Sequence, residues 1–508
     1  MNILFAKCRL NQGERYQPLM ISPPLGILYL IGTLKRARTG RDDFRIFDLS
    51  LADQTPDAAL ASLWIFLPEV VAISAYSREA PAAQQFALLC KSRFPKSTII
   101  IGGPYVTAEK ASVLNEPAFD FAIKGEGEKA FLEFINALEN QTGYDTINNL
   151  IFRDGERIVE NESRPFEQNL DDLAPPAWEE IDLQNYQGTN HLTGRQSHAL
   201  LLTSRGCPLQ CTYCTHLMGF TYRTHSPERV ITEISNLYYL HNIKYFEIID
   251  DNFNLDRNRT RTILELIIQE KLKIHLLFPN GLRLDLLNSE LIDLMKSAGT
   301  IQIAAPFDSG SPAVQERYGR RLNLEKAEEI TCRIIEKQIF TIGYFIVGYP
   351  DETLEEYKQT VQMIRRIPFH FVRFFRAVVF PGTPLAASQA QLPNALDQPQ
   401  CYDYFGQGYR NAAISPTRIS RDEWCTIVRT FQPQRLRSFL RAHPLGWRVI
   451  SQALAMAYNR LVRAHYRRQL PKHHGNVTNT NRLRKVSMND DRQTQRLNQP
   501  PSNEDSGT

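Results

Sequence analysis

Cys207, Cys211 and Cys214 stand in the run Thr203-Ser204-Arg205-Gly206-Cys207-Pro208-Leu209-Gln210-Cys211-Thr212-Tyr213-Cys214, spaced C-x3-C-x2-C with an aromatic residue before the third. Three thiolates on one short loop can hold three irons of a cubane 4Fe–4S cluster and leave the fourth iron without a protein ligand. Clusters that only carry electrons normally take four cysteines, so an open iron points to binding and reduction of a small molecule. The competing reading is a zinc knuckle completed by His216 or His198. Structural zinc sites usually arrive as two C-x2-4-C or H-x3-5-H pairs, and no second pair occurs in this chain. Cys8, Cys90, Cys332, Cys401 and Cys425 are scattered singly and read as core or surface thiols. The absence of disulfide-framework spacing implies a reducing compartment.

The elements around this loop must position it. Six strand candidates, residues 199–204, 244–250, 273–280, 300–306, 340–347 and 371–380, alternate with helical patterns across residues 195–390. Six such units predict a partial (β/α)6, TIM-like barrel, open on one side, with its site at the C-terminal rim. The first strand feeds the cysteine loop. The second ends Asp250-Asp251-Asn252-Phe253, whose carboxylates could hold an ammonium. The fourth ends Phe307-Asp308-Ser309-Gly310-Ser311, with groups able to bond ribose hydroxyls. The fifth ends Phe345-Ile346-Val347-Gly348-Tyr349-Pro350, where Ile346 and Gly348 offer bare backbone to an adenine edge. Pro381-Gly382-Thr383 follows the sixth. A single carboxylate there is more often a helix cap or surface group; five strand ends in agreement carry the argument.

Residues 1–140 predict a separate α/β domain. Strands at 2–6, 44–48, 70–74, 98–102 and 119–124 alternate with helices at 27–36, 81–92 and 128–139, which implies a doubly wound, Rossmann-like parallel sheet. After its strands come Pro23-Pro24-Leu25-Gly26, Ser74-Ala75-Tyr76, Gly102-Gly103-Pro104-Tyr105 and Gly125-Glu126-Gly127-Glu128. Glycines there let backbone lie close to a large flat ligand. No G-x-G-x-x-G follows the first strand, which disfavours a dinucleotide. Residues 141–194 read as a hairpin turning at Asp154-Gly155 and a linker containing Pro175-Pro176.

The chain has 508 residues, 43% hydrophobic and 22% charged, which predicts a soluble protein of two or three domains. No stretch is long and apolar enough to span a membrane, and the start lacks a signal-peptide pattern, so the expected location is cytoplasmic. Residues 431–508 carry 14 Lys/Arg against 4 Asp/Glu, so the net charge of +4 conceals a basic end and an acidic body. Residues 391–472 read as a basic helical region. Its stretch 435–470 is a cap over the open barrel or a membrane-surface helix that contacts a lipid-like substrate. Residues 473–508 are expected to be disordered. No RNA-binding module accompanies the basic tail, and no nucleic-acid partner is expected.

The cysteine run resembles the signature of the radical S-adenosylmethionine (SAM) superfamily. The PPLG, GGP and GEGE turns resemble the cobalamin-binding domain that precedes the radical domain in one large branch, across nearly the whole of residues 1–140. The resemblance implies that Cys207, Cys211 and Cys214 hold a 4Fe–4S cluster whose open iron chelates S-adenosylmethionine. It implies that the Tyr213 backbone meets the adenine, and that Asp250, Asp251, Asp308, Ser309, Ser311, Ile346 and Gly348 grip the cosubstrate. Leu25, Gly26, Ser74, Tyr76, Gly102, Gly103, Gly125 and Glu126 would contact cobalamin. Residues 1–190 contain no histidine, and Tyr105 stands where many relatives have His, so no axial imidazole comes from this domain. Asp308 stands where relatives commonly carry Glu before Ser-Gly-Ser. The implied activity is C-methylation of an unactivated carbon in a small-molecule, natural-product or lipid-like substrate, through a 5′-deoxyadenosyl radical and methylcobalamin. An electron donor such as flavodoxin or ferredoxin would be a partner. Oxidative cyclisation or ring rearrangement with the same cofactors, and a non-catalytic cluster or cobalamin sensor, remain alternatives.

Overall fold

β-branched runs bounded by glycine and proline build the first sheet. The computed structural model describes residues 1–8, 22–51, 56–61, 63, 65–190, 194–377, 380 and 382–389, all within one compact unit, Met1–Gly446. The first sheet contains β1 (Asn2–Lys7), β2 (Asp43–Asp48), β3 (Val70–Ser74), β4 (Thr98–Gly102) and β5 (Phe121–Ile123). These five are parallel and ordered β2-β1-β3-β4-β5. Ile3, Leu4, Phe5, Val70, Val71, Ile99 and Ile101 are fully buried, as strands covered on both faces require. Helices Leu25–Ala37, Ala80–Arg93 and Glu128–Asn140 supply the cover, each within two residues of its sequence expectation.

The hairpin departs from the simplest expectation. β6 (Leu150–Asp154) and β7 (Arg157–Glu160) turn at Asp154-Gly155 as anticipated, but β6 pairs antiparallel with β5 and extends the first sheet to seven strands. A sequence shows that a hairpin forms, not which edge it finds. The linker then straps back across helix Leu25–Ala37, where Ala177 N–H donates to the Leu28 carbonyl at 3.0 Å. A Cβ on Gly32 would lie 2.0 Å from the Pro175 carbonyl oxygen, so only glycine permits that contact.

The second sheet holds β8 (Gln187–Asn190), β9 (Gly194–Leu201), β12 (Tyr245–Ile248), β13 (His275–Phe278), β14 (Thr300–Asp308), β15 (Phe340–Val347) and β16 (Phe371–Arg376). Between β9 and β12 lie two short strands, β10 (Ser204–Arg205) and β11 (Arg223–Thr224). From β9 to β16 the sheet strands are parallel and neighbours in sequence order, with β8 antiparallel on the β9 edge. Their helix-facing residues, among them Phe246, Ile248, Phe278, Phe307 and Phe345, join one core with Ile234, Leu237, Ile263, Leu264 and Ile330. Parallel neighbours place all six C-terminal ends on one rim. The chain is therefore α/β with two parallel-rich sheets. The expected helical region 391–472, the tail 473–508, the 435–470 stretch, Cys401, Cys425 and Pro381 lie outside the described residues.

Candidate active site at the strand ends

The cysteine loop is closed at its base by pairing that sequence reasoning missed. The first strand was expected to run through Ser204; instead β9 stops at Leu201, and β10 pairs antiparallel with β11. A two-residue ladder carries too little periodicity to read from sequence. Gly206 has φ +82°, and a Cβ there would sit 2.3 Å from the Thr221 carbonyl oxygen, so glycine alone fits where the loop leaves the ladder. Within the loop, Cys207 N–H donates to Gly219 O (3.1 Å) and Thr212 N–H to Tyr318 O (3.0 Å).

All three cysteines are free thiols: Cys211 buried, Cys207 half-buried and Cys214 exposed. Desolvation raises each thiol above its ordinary value, Cys214 to about 11, so ionisation must come from a bound metal. The Asn252 amide donates to Cys207 Sγ at 2.9 Å. Neither candidate zinc imidazole is offered to the thiols. His216 places Nδ1 3.0 Å from Cys214 O and Nε2 2.6 Å from Leu209 O, with its ring stacked on Phe220. His198 is buried inside β9, in register with Tyr245. Among the described residues, no three His, Cys, Asp or Glu side chains converge to hold a single ion. A cubane spreads its thiolates over separate irons and does not need that convergence, so the donor set fits a cluster with one open iron.

The rim places the expected cosubstrate residues near this loop but gives several of them other partners. Asp250 is buried and saturated: it accepts from Thr203 N–H, Thr203 Oγ1 and Ser204 Oγ, each at 2.6 Å. This corrects its assignment as an ammonium ligand; it holds the root of the cysteine loop. Asp251, next to it, is exposed. Burial raises the Asp251 carboxyl against the opposing pull of a Gly206 backbone hydrogen bond and of His216 and Arg223, and its charge acts on Cys207 and Cys214. Asp308 has φ +63°, uncommon for a residue with a side chain, at a register shift in β14. Its Oδ2 accepts from the Tyr213 hydroxyl (2.7 Å) and lies 2.7 Å from Arg320 Nε, so it is committed within the protein. Ser309 Oγ is shared between Thr360 Oγ1 and Ser311 N–H. Gly348, at φ +80°, donates its N–H to Glu352 at 2.7 Å and is likewise not bare. Ile346 is half-buried beside Tyr213 and Tyr349. Among the described residues, Ser311 Oγ and Thr212 Oγ1 are buried without a hydrogen-bond partner, which leaves both hydroxyls free for a polar ligand.

The first sheet offers a different rim. A Cβ on Gly103 (φ +93°) would lie 3.0 Å from Ala75 O and 3.1 Å from Ser74 Oγ, and Gly125 (φ +68°) donates to Thr107 Oγ1 at 2.9 Å. Leu25 is buried at the helix start; Gly26 and Tyr76 stand open, with nothing within 4 Å of a Gly26 Cβ. Gly102 is half-buried at the end of β4. Exposed glycine backbone beyond parallel strands fits a broad planar ligand. Glu126 departs from its expected cofactor contact. Its carboxylate takes Arg223 (2.8 Å) and Arg205 (3.2 Å), while Glu128 takes Arg205 at 2.7 Å. Arg205 also lies over the Tyr29 ring and Arg223 over Phe166. The GEGE turn is thus bolted to the base of the cysteine loop. The two arginines were missed because partners 77 to 97 residues away leave no local pattern.

Comparison with known proteins agrees with this geometry. Residues 18–135 match the B12 binding domain and residues 201–364 the radical SAM superfamily. An uncharacterized methyltransferase of Pyrococcus horikoshii is 29% identical over 366 residues, 72% of this chain and 77% of the relative. An anaerobic magnesium-protoporphyrin IX monomethyl ester cyclase of Cereibacter sphaeroides is 25% identical over 409 residues, 79% of this chain and 65% of the relative. The solved methyltransferase TsrM of Kitasatospora setae shares the fold, with TM-score 0.64 and 18% identity over 76% of this chain and 75% of its own. The chain belongs to the radical SAM enzymes that carry a B12-binding domain, a family whose named members include cobalamin-dependent methyltransferases.

Proposed function

We propose that this enzyme transfers a methyl group to an unactivated carbon of a small-molecule substrate held between the two strand-end rims. The observation that carries the reading is the Glu126/Glu128–Arg205/Arg223 seam, which ties a corrinoid-type rim to the cysteine loop and so brings two cofactor sites to bear on one substrate. The strand order, reversing between β1 and β3, supports a doubly wound crevice bordered by Leu25, Gly26, Ser74 and Tyr76. The sequential parallel order of β9 to β16 supports a partial barrel. When bound, the cluster and cobalamin supply reductive cleavage of S-adenosylmethionine and methyl transfer.

The chain's own residues prepare the site. Cys207, Cys211 and Cys214 would hold three irons, with Asn252 donating to the first sulfur. Asp251 would face the cosubstrate's ammonium, Ser311 and Thr212 would spend their free hydroxyls on its polar groups, and the backbone at Tyr213 and Ile346 would border the adenine. Asp308 and Arg320 orient Tyr213 rather than touching ribose. Gly102, Gly103 and Gly125 would border the corrinoid. The chain would draw its electron from a flavodoxin- or ferredoxin-like donor.

Anaerobic reconstitution with iron, sulfide, cobalamin, dithionite and methyl-labelled S-adenosylmethionine tests the proposal. Formation of 5′-deoxyadenosine together with label in a product carbon is expected. The cyclase relative supports a second reading, ring closure without methyl transfer; 5′-deoxyadenosine with an unlabelled, ring-closed product would favour it. No 5′-deoxyadenosine with any candidate substrate would favour a sensor.

A further inference from the structure

We propose that Glu247, inside the second sheet, anchors a protonated amine of the substrate, so that the substrate class is an apolar body bearing a cationic nitrogen. The inference rests on the functional reading above and concerns the same site. Phe246 and Ile248 join the core shared with the flanking helices, so the two-residue alternation of β12 turns Glu247 to the opposite, inner face. There Leu200 on β9 and Leu277 on β13 flank it in register. Glu247 is 6% exposed, and among the described residues no hydrogen-bond donor or cation partners its carboxylate. An acid this buried is normally paired.

The surroundings reinforce the assignment. Burial alone pushes the Glu247 carboxyl up to about 7. Its charge acts on the Tyr344 hydroxyl of β15, although β13 and β14 lie between and a flat sheet would separate β12 from β15 by about 14 Å. That reach supports a rolled sheet with both groups inside it. Arg373, in register with Tyr344, acts on Tyr344 and leaves Glu247 without a counter-charge. A neutral hydroxyl would offer the acid an ordinary hydrogen bond. An ammonium offers a charge-assisted one, roughly twice as strong, and neutralises the buried anion as well.

The test uses the cluster- and cobalamin-loaded enzyme, titrated anaerobically with n-hexylamine, 1-hexanol and hexanoate. The amine is expected to bind at least about 10-fold more tightly than either isostere, about 1.4 kcal/mol, and to raise the unfolding midpoint. Glu247→Gln should erase that preference, with circular dichroism and cluster absorbance reporting the fold; Glu247→Leu serves if the amide does not fold. Equal binding of hexanol or hexanoate, or an amine preference that survives Glu247→Gln, would overturn the anchor. 5′-Deoxyadenosine measured in the same wild-type sample separates the two claims. Cleavage without amine preference defeats only the anchor, and amine preference without cleavage defeats only the radical reading.

Discussion

The two sheets solve the problem of ligand presentation in opposite ways. The rim of the first is mainly backbone: Gly103 and Gly125 sit at positive φ, and neighbouring turns are laced by main-chain bonds such as Tyr105 N–H to Ala75 O at 3.1 Å. The rim of the second is built from buried side-chain charge. Asp250 holds the loop root, Asp308 holds Tyr213 and Arg320, and Arg283 donates to the Arg320 and Arg321 carbonyls. A broad planar ligand needs room and little chemistry, which glycine provides. A small charged cosubstrate and a cluster need fixed geometry, and buried ionic groups with no alternative partners provide that. Glu126 and Glu128 bridge the two designs, because they belong to the first rim and pair with Arg205 and Arg223 of the second.

The largest expected effect separates the rims outright. Replacing Cys207, Cys211 or Cys214 by Ala should abolish the cluster's brown absorbance and all 5′-deoxyadenosine formation, while cobalamin still binds; retained iron would show that the ligand set is wrong. Next in size, Arg205→Met would leave Glu128 buried as an unpaired charge. The expected cost is about 3–5 kcal/mol in denaturant unfolding, with Arg205→Lys intermediate. Loss of less than about 1 kcal/mol would mean the seam is not holding the domains together.

A pH experiment probes the second rim alone. Burial pushes the Glu352 carboxyl up to about 7 against backbone hydrogen bonds from Gly348 and Tyr349. An acid raised in the folded state costs stability as pH climbs from its ordinary value to the folded one, and the cost is constant above that. Between about pH 4.5 and 7 it amounts to about 3 kcal/mol. Glu352→Gln should remove its share of the fall in unfolding free energy over that window, the share of Glu247, raised to the same value, remaining; an unchanged profile would exclude Glu352 as a source. Glu128 has the opposite sign. Burial raises it, but the Arg205 charge and hydrogen bond bring it below the ordinary range, so its contribution is present at neutral pH and lost on acidification.

The smallest expected effects sharpen the backbone rim. Gly103→Ala forces a side chain into the left-handed region, with Cβ 3.0 Å from Ala75 O. About 1–2 kcal/mol of stability should be lost, together with cobalamin affinity. Gly26→Ala meets nothing within 4 Å and should change stability by less than about 0.5 kcal/mol. If it weakens cobalamin binding nonetheless, read by retention of the corrinoid spectrum, Gly26 borders the ligand. Equal effects of the two substitutions on stability would show that the positive φ and close contacts of Gly103 are not what requires glycine there.

Much of this was legible because the signals are local. The strands and helices follow from apolar periodicity, and the cysteine loop from three reactive residues within eight positions. Asp250, Asp308 and Glu126 read from the sequence as cofactor contacts, and the structure gives each of them protein partners. A carboxylate's chemistry is set by whatever folds against it, and Thr203, Arg320 and Arg223 cannot be matched to it by spacing. The sequence by itself determined the two α/β regions, the three cysteines within eight positions and the lack of a histidine ahead of residue 191, since each depends on residue identity and short-range order. The tertiary structure alone decided which acids are saturated, which buried side chains, Ser311, Thr212 and Glu247, find no partner among the described residues, and that one turn clamps the cysteine loop. These depend on long-range burial and charge pairing, which exist only once distant segments have packed.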